Sequence, residues 1–157
     1  MRLCIEQKLF SWTDKFSVRE ENGQDKYYVE GELFSFGKKL HIHNLAGMEV
    51  AYIQQKMMSF LPRYHIYLNG QMKAEIKKEF TFFKPQYSIS GPNWEVTGNF
   101  WAHDYQITCN DIPIVTIEKA WLTWGDCYVL DIKNPADELL ALSAVLVIDC
   151  VLDSANH

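Results

Sequence analysis

Apolar and polar residues alternate along nearly all of the chain before Asn134. In the segment Lys26–Phe34, Val29 lies on one side of the predicted strand, while Glu30 and Glu32 lie on the other. A period of two is typical of a β-strand with one buried and one solvated face. The pattern predicts about twelve strands along the chain. They are Leu3–Phe10, Asp14–Glu21, Lys26–Phe34, Lys38–Asn44, Met48–Lys56, Arg63–Leu68, Gln71–Glu79, Gln86–Ser90, Trp94–Ala102, Tyr105–Cys109, Ile112–Ala120 and Cys127–Lys133.

Turn-forming residues separate the predicted strands. Asn69-Gly70 lies between two alternating segments and predicts a two-residue β-hairpin. Gly125-Asp126 predicts the last turn before the end of the sheet. In the second arm of the hairpin, strict alternation predicts that Met72, Ala74 and Ile76 face the interior.

The segment Asn134–Leu152 has a different pattern. Asn134 is suited to cap a helix and Pro135 to occupy its first position. Within Leu139–Ile148 the only polar side chain is Ser143. A helix lying on a core would have a polar face, so this one is expected to be surrounded by protein. A membrane span needs about 20 apolar residues, and this run is shorter.

Together these patterns predict an all-β fold with one central helix. About twelve antiparallel strands would close to remove their edges, and so wide a barrel needs a filler. A helix of about 18 residues is about 27 Å long, which is similar to the height of the strands. We therefore predict a closed antiparallel barrel around a C-terminal apolar helix. The expected single domain spans 1–157, with the barrel in 1–133 and the helix in 134–153. An internal repeat aligns Gly31 with Gly98 and predicts that both glycines face the helix.

The bulk composition narrows the functional classes. The chain has 157 residues and a net charge of -5, which argues against broad binding of nucleic acid or of an anionic membrane by the whole surface but leaves a local basic patch open. Its four cysteines form no Cys-x-x-Cys pair, and the N-terminal residues lack the apolar core of a signal peptide. We therefore expect a cytoplasmic protein with reduced thiols, no transmembrane segment and no cofactor, and leave peripheral attachment to a membrane open.

Three runs of sequence resemble a known family. They read WEVTGNFWAHDY from Trp94, CYVLDI from Cys127 and NPADELLALSAVLVID from Asn134. The chain resembles the LURP-one-related proteins and their bacterial YxjI-like relatives over essentially its whole length. The resemblance implies the tubby C-terminal-like fold, in which twelve strands close around a central apolar helix, and a relationship to phospholipid scramblases. Tubby domains bind phosphoinositide headgroups, whereas the bacterial members are largely of unknown function. The cysteine cluster and added transmembrane helix of scramblases do not occur in this sequence.

Two groups of basic residues on predicted strands form the candidate ligand-binding site. Such residues could bind the headgroup of an anionic phospholipid. Alternating strands also place charges on a solvated outer face, and the sequence favours that simpler interpretation. The candidate residues are Lys38, Lys39, His41, His43, Lys73 and Lys77, with Lys78 and Lys84 nearby.

Candidate metal and catalytic groups are sparse. The spacing His41-x-His43 can hold a metal, but zinc needs three or four ligands and no third is evident nearby. A pair formed by His103-Asp104 and Cys109 would suggest a nucleophile with its base, although the dipeptide falls where a turn is expected. We predict neither a metal site nor a catalytic site.

The leading functional prediction is a non-enzymatic binding or scaffold domain that recognises a phospholipid headgroup or a protein partner through its outer surface. A contiguous basic patch with exposed aromatic residues, such as Trp101, Trp121 or Trp124, would favour lipid binding. A deep polar pocket joining His103, Asp104 and another ionisable group would favour an enzyme with a site at a barrel end. A large exposed apolar patch would favour a protein-interaction module.

Overall fold

Twelve strands form one closed antiparallel barrel in the structure, which is a computed structural model. It describes residues 1–6, 15–34, 37–56, 60–79, 86–99, 102–122 and 125–155. The strands are β1 Arg2–Glu6, β2 Lys15–Glu20, β3 Asp25–Phe34, β4 Gly37–Asn44, β5 Glu49–Gln55, β6 Arg63–Leu68, β7 Gln71–Glu79, β8 Gln86–Ser90, β9 Trp94–Asn99, β10 Asp104–Cys109, β11 Ile112–Leu122 and β12 Gly125–Ile132.

Each strand pairs with its neighbours in sequence, and β1 closes the barrel by pairing with β12. In this closing pair Leu3 lies opposite Leu130 and Ile5 lies opposite Tyr128. The predicted closed barrel is therefore confirmed. The alternation also predicts most strand bounds to within a few residues, although β9 ends at Asn99 rather than at Ala102.

The C-terminal segment is a helix enclosed by the barrel, as predicted. A 3-10 turn, Pro135–Asp137, precedes the helix α1, Glu138–Ala155. The Asn134 side chain caps the turn by accepting a hydrogen bond from the backbone N–H of Ala136. All residues from 141 to 148 are at most 2% exposed. Because no side of this stretch reaches solvent, its uniformly apolar character is explained by burial on all sides.

The barrel interior is a continuous apolar core. Ser143 is the only polar residue within the buried stretch of the helix, and its Oγ donates a hydrogen bond to the Leu139 carbonyl at 2.8 Å. This bond satisfies the hydroxyl within its own helix. The helix lies closest to β5, β6, β7 and β12. The fully buried strand residues around it include Leu40, Ile42, Ile53, Ile66, Ile76 and Leu130.

The antiparallel order gives the barrel two different ends. Odd-numbered strands run from what we call the lower end to the upper end, and even-numbered strands return. The helix α1 begins at the lower end and runs towards the upper end, because it follows β12. The turn between β6 and β7 lies at the lower end, where Asn69 and Gly70 adopt left-handed φ angles of 50° and 81°. These angles are those of the predicted two-residue hairpin.

Strict alternation fails in β7. Ile66 pairs with Ala74 but Tyr67 pairs with Met72, so Lys73 is an extra residue in the strand. A β-bulge of this kind changes the side on which the following residues lie. Met72 is therefore exposed rather than buried, and the prediction that it faces the interior is wrong.

Two predictions about glycines are also wrong. A Cβ at Gly98 would lie 2.7 Å from Tyr105 Cα in β10, so this glycine accommodates the neighbouring strand and not the helix. Gly125 pairs with Leu122 inside the β11–β12 ladder, so Gly125-Asp126 belongs to a strand and not to a turn. Both predictions fail because the local sequence does not show which neighbouring strand lies beside each glycine.

Candidate functional site

Cationic residues gather at the upper ends of four neighbouring strands, β4 to β7. Lys77 pairs with Arg63 across β7 and β6, and the Lys56 N–H donates to the Arg63 carbonyl at 2.8 Å. The Lys38 N–H donates to the Gln55 side chain at 3.2 Å, which links β4 to β5. Adjacent strands lie about 4.8 Å apart, so the group spans about 14 Å. We call it the basic rim, and it consists of Lys38, Lys39, Lys56, Arg63, Lys77 and Lys78.

The structure brings together only part of the predicted ligand site. Lys38, Lys39 and Lys77 belong to the basic rim, whereas Lys73 lies in the bulge near the lower end of β7. His41 and His43 lie farther down β4, and Lys84 is outside the described residues.

Sequence reasoning missed Lys56 and Arg63, which are isolated cations in the sequence. They join the rim because β5 and β6 pair between β4 and β7. The predicted strand order could have revealed them. In consecutive antiparallel strands, the end of one strand and the start of the next lie at the same edge of the sheet.

The basic rim has a local excess of positive charge. Three carboxylates lie beside it, namely Glu32, Glu75 and Glu79. Glu75 is 2.7 Å from His65, and Glu79 accepts a hydrogen bond from Ser88 at 2.6 Å. Six cations against three carboxylates leave a local net charge of +3, although the whole chain carries -5. Three rim lysines make no ion pair with any residue in the described ranges: Lys39, Lys77 and Lys78.

His41 is enclosed by two carboxylates. Its Nε2 lies 3.2 Å from Glu32 and its Nδ1 contacts Glu49. Burial alone would lower the pKa of His41, but hydrogen bonds to Glu49 and Glu32 outweigh it and raise the pKa above the ordinary 6.5. The protonated ring would be outnumbered by two carboxylates, so this cluster adds no positive charge to the rim. The His41 ring stacks on the His43 ring with centroids 6.4 Å apart. Within the described residues, no group of side chains could hold a metal ion.

Two large aromatic side chains are exposed at the upper end. Phe60, in the connection between β5 and β6, is 93% exposed, and Trp121, near the end of β11, is 78% exposed. Phe60 is therefore close in sequence to the rim residues Lys56 and Arg63. Trp101 and Trp124 are outside the described residues. A basic group with exposed aromatic residues is the feature that the sequence analysis associated with lipid binding.

A second polar cluster joins the helix to the barrel at the upper end. His103 Nδ1 lies 3.5 Å from Asp149 of α1, and its Nε2 lies 3.3 Å from the Tyr128 hydroxyl. The His103 and Tyr128 rings stack with centroids 4.1 Å apart. Burial raises the pKa of Asp149 above 3.8, while the nearby His103 opposes that shift. Burial and the nearby Asp149 likewise raise the pKa of Tyr105 well above 10.0.

The three residues of the candidate catalytic pair, His103, Asp104 and Cys109, have different surroundings. Asp104 is exposed, and the Cys109 thiol lies 3.9 Å from the Pro92 carbonyl. His103 instead contacts Asp149, a residue of the helix. At the lower end, Lys26 forms an ion pair with Glu138 at 2.6 Å. The helix is thus tied to the barrel by one ion pair at each end, which is a structural arrangement.

Comparison with known proteins identifies the family. The family model described as LURP-one-related matches residues 1–149. The chain belongs to the LURP-one-related family. It is 38% identical over 152 residues to the uncharacterised protein YxjI of Bacillus subtilis (strain 168), a match covering 97% of this chain and 94% of that protein.

A solved structure has the same fold as this LURP-one-related chain. It is an X-ray structure of an Arabidopsis thaliana protein that is 17% identical, with a TM-score of 0.65 and coverage of 99% of this chain and 91% of the other. Neither the family description nor the two relatives' names states a reaction. Among the residues that the structure describes, no helix has both the length and the apolar character of a membrane span.

Proposed function

We propose that this LURP-one-related protein is a binding domain that attaches peripherally to membranes containing anionic phospholipids, through its basic rim. The observation that carries the proposal is the gathering of six cations within about 14 Å at the upper ends of four strands. A nearly fully exposed phenylalanine, Phe60, lies in the same region.

Electrostatics favours the rim as the contact surface. A lysine or arginine near an anionic bilayer contributes roughly 1 kcal/mol, and the effect falls off within a Debye length. Lys39, Lys77 and Lys78 have no ion pair within the described residues, so binding a phosphate would break no existing pair. The excess of acidic residues elsewhere in the chain would turn the rim towards the membrane.

The expected location is the cytoplasmic face of a membrane. Anionic lipids give that leaflet its negative surface potential. Cys4, Cys109 and Cys127 are free thiols, as is usual for proteins of a reducing compartment.

A vesicle sedimentation assay tests the proposal. The wild-type protein should pellet with vesicles of phosphatidylcholine mixed with phosphatidylserine, and not with phosphatidylcholine alone. Binding should weaken at about 1 M salt, where the Debye length is about 3 Å. The double variant Lys39→Glu, Lys77→Glu should bind at least roughly tenfold more weakly, since each reversal removes an attraction of about 1 kcal/mol and adds a repulsion.

Lys73→Glu is the matched control, because Lys73 lies on the same strand as Lys77 but near the lower end. It should bind like the wild type. No pelleting with anionic vesicles at low salt, or equal losses in the Lys73 and Lys39/Lys77 variants, would refute the proposal.

A further inference from the structure

We infer that the barrel docks on the bilayer end-on, with Phe60 and Trp121 entering the membrane interface from opposite sides of its upper end. This inference rests on the proposed membrane attachment. It adds a second contact, with the acyl boundary of the bilayer, to the electrostatic contact made by the basic rim.

The positions of the two aromatic residues around the barrel carry the inference. Strand β11, which holds Trp121, is six strands away from β5 in the closed ring of twelve. Phe60 follows β5, so the two side chains lie on nearly opposite sides of the upper end. A barrel of this strand number is about 20 Å across, given the spacing and tilt of strands. A surface that touches both side chains must therefore lie across the end of the barrel and not along its side.

The two ends differ in the residues that connect the strands. The described upper end contains aromatic residues, namely Phe60 in the connection between β5 and β6 and Trp121 next to the last residue of β11. The lower-end connections contain none, and consist of short turns such as Asn69-Gly70. Tryptophan is favoured at a membrane–water interface because its ring is apolar and its N–H can remain hydrated, and phenylalanine is favoured where an apolar side chain enters the acyl boundary.

Exposed apolar residues also occur at the lower end, where Met72 precedes Lys73 but two others lie beside carboxylates. Ile112 is 65% exposed and directly follows Asp111, and the exposed Met48 directly precedes Glu49. Carboxylates would repel an anionic leaflet, whereas Phe60 adjoins cations of the basic rim. Among the residues that the structure describes, the two most exposed aromatic side chains therefore lie at the upper end, Phe60 beside cations of the basic rim and Trp121 opposite Asp126 on β12.

Alanine substitution tests this geometry in the full chain. Phe60→Ala and Trp121→Ala should each weaken binding to phosphatidylcholine–phosphatidylserine vesicles by about tenfold, because burying about 60 Å² of the aromatic side chain in the membrane interface, at about 25 cal/mol per Å², corresponds to about a tenfold change in affinity. Both variants should keep the salt dependence of the wild type, since the rim is unchanged. Ile112→Ala is the matched control, an exposed apolar side chain at the lower end, and should bind like the wild type.

The outcomes separate the two proposals. Binding by the wild type that is weakened only by Phe60→Ala would mean contact along the side of the barrel and would overturn end-on docking, as would binding unaffected by either substitution. Failure of the wild type to bind anionic vesicles would refute the proposed function and with it this inference. Thermal melts of all variants establish that each is folded, and both residues are exposed, so little loss of stability is expected.

Discussion

The contact between His103 and the buried carboxyl of Asp149 predicts a pH-dependent effect of removing the histidine. Asp149 lies on the central helix and its side chain is 12% exposed, while that of His103 is 19% exposed. Burial raises the folded-state pKa of Asp149 above 3.8. A carboxyl with a raised pKa favours folding when it is protonated. Its contribution to stability therefore falls as pH rises from about 3.8 through the folded-state pKa, and then levels off.

The magnitude follows from the geometry. A histidine is charged only when it is protonated, so the magnitude is taken from the buried Asp149 carboxyl alone. A buried polar group left without its partner costs about 1–3 kcal/mol. We therefore expect His103→Ala to lower the free energy of unfolding by about 1–3 kcal/mol at pH 8. The cost should shrink at pH 5, since without His103 the pKa of Asp149 rises further and protonation removes the buried charge.

Urea denaturation at several pH values between 5 and 8 measures this effect. Asp149→Asn removes the charge but keeps the shape, so it should cost less than His103→Ala at pH 8. The double variant should be more stable than His103→Ala alone at pH 8, because it contains no unpaired carboxylate. The reasoning would be refuted by an equal cost of His103→Ala at pH 5 and pH 8, or by a double variant whose loss equals the sum of the two single losses.

Three further predictions concern the barrel and its helix. Leu142→Ala should lower the free energy of unfolding by about 2–5 kcal/mol in urea denaturation, since the side chain is fully buried and leaves a cavity; a loss below about 1 kcal/mol would contradict this packing. Gly98→Ala should destabilise more than Gly47→Ala by the same measurement, because both have positive φ but only at Gly98 would the Cβ meet backbone, at 2.7 Å; equal losses would contradict the close approach of β10. Deleting residues 134–157 should abolish cooperative thermal unfolding, and a soluble truncation that melts cooperatively would show that the barrel does not need its helix.

The sequence predicts the barrel well because most strands have one face on the core and one in solvent. In β6, for example, the buried Tyr64 and Ile66 alternate with the partly exposed His65 and Tyr67. The helix is predicted from the opposite property, the loss of any polar face. Prediction fails where a bulge breaks the alternation, as at Lys73, since the extra residue has no signature in the local sequence.

The candidate site is less predictable because it depends on pairing. The basic rim combines residues from four strands, and the sequence shows only two of its clusters, Lys38-Lys39 and Lys77-Lys78. His103 and Asp149 are distant in sequence, and they come into contact only when the helix is inside the barrel. Asp149 is the first charged residue after the apolar run 139–148, but the local sequence does not indicate that His103 is its partner.

A filled barrel leaves its ends and outer surface for function. The lower end sets the register of the sheet with short turns such as Asn69-Gly70, whose positive φ angles tolerate few substitutions. The upper-end connection between β5 and β6 is longer and contains Phe60, which is nearly free of contact with the core. Exposed residues of that connection, such as Phe60, can therefore change with little cost in folding, whereas the turn residues Asn69 and Gly70 cannot. Differences in binding between members of the family should therefore be concentrated at the upper end. The apolar helix inside the barrel should vary mainly by substitutions that conserve volume.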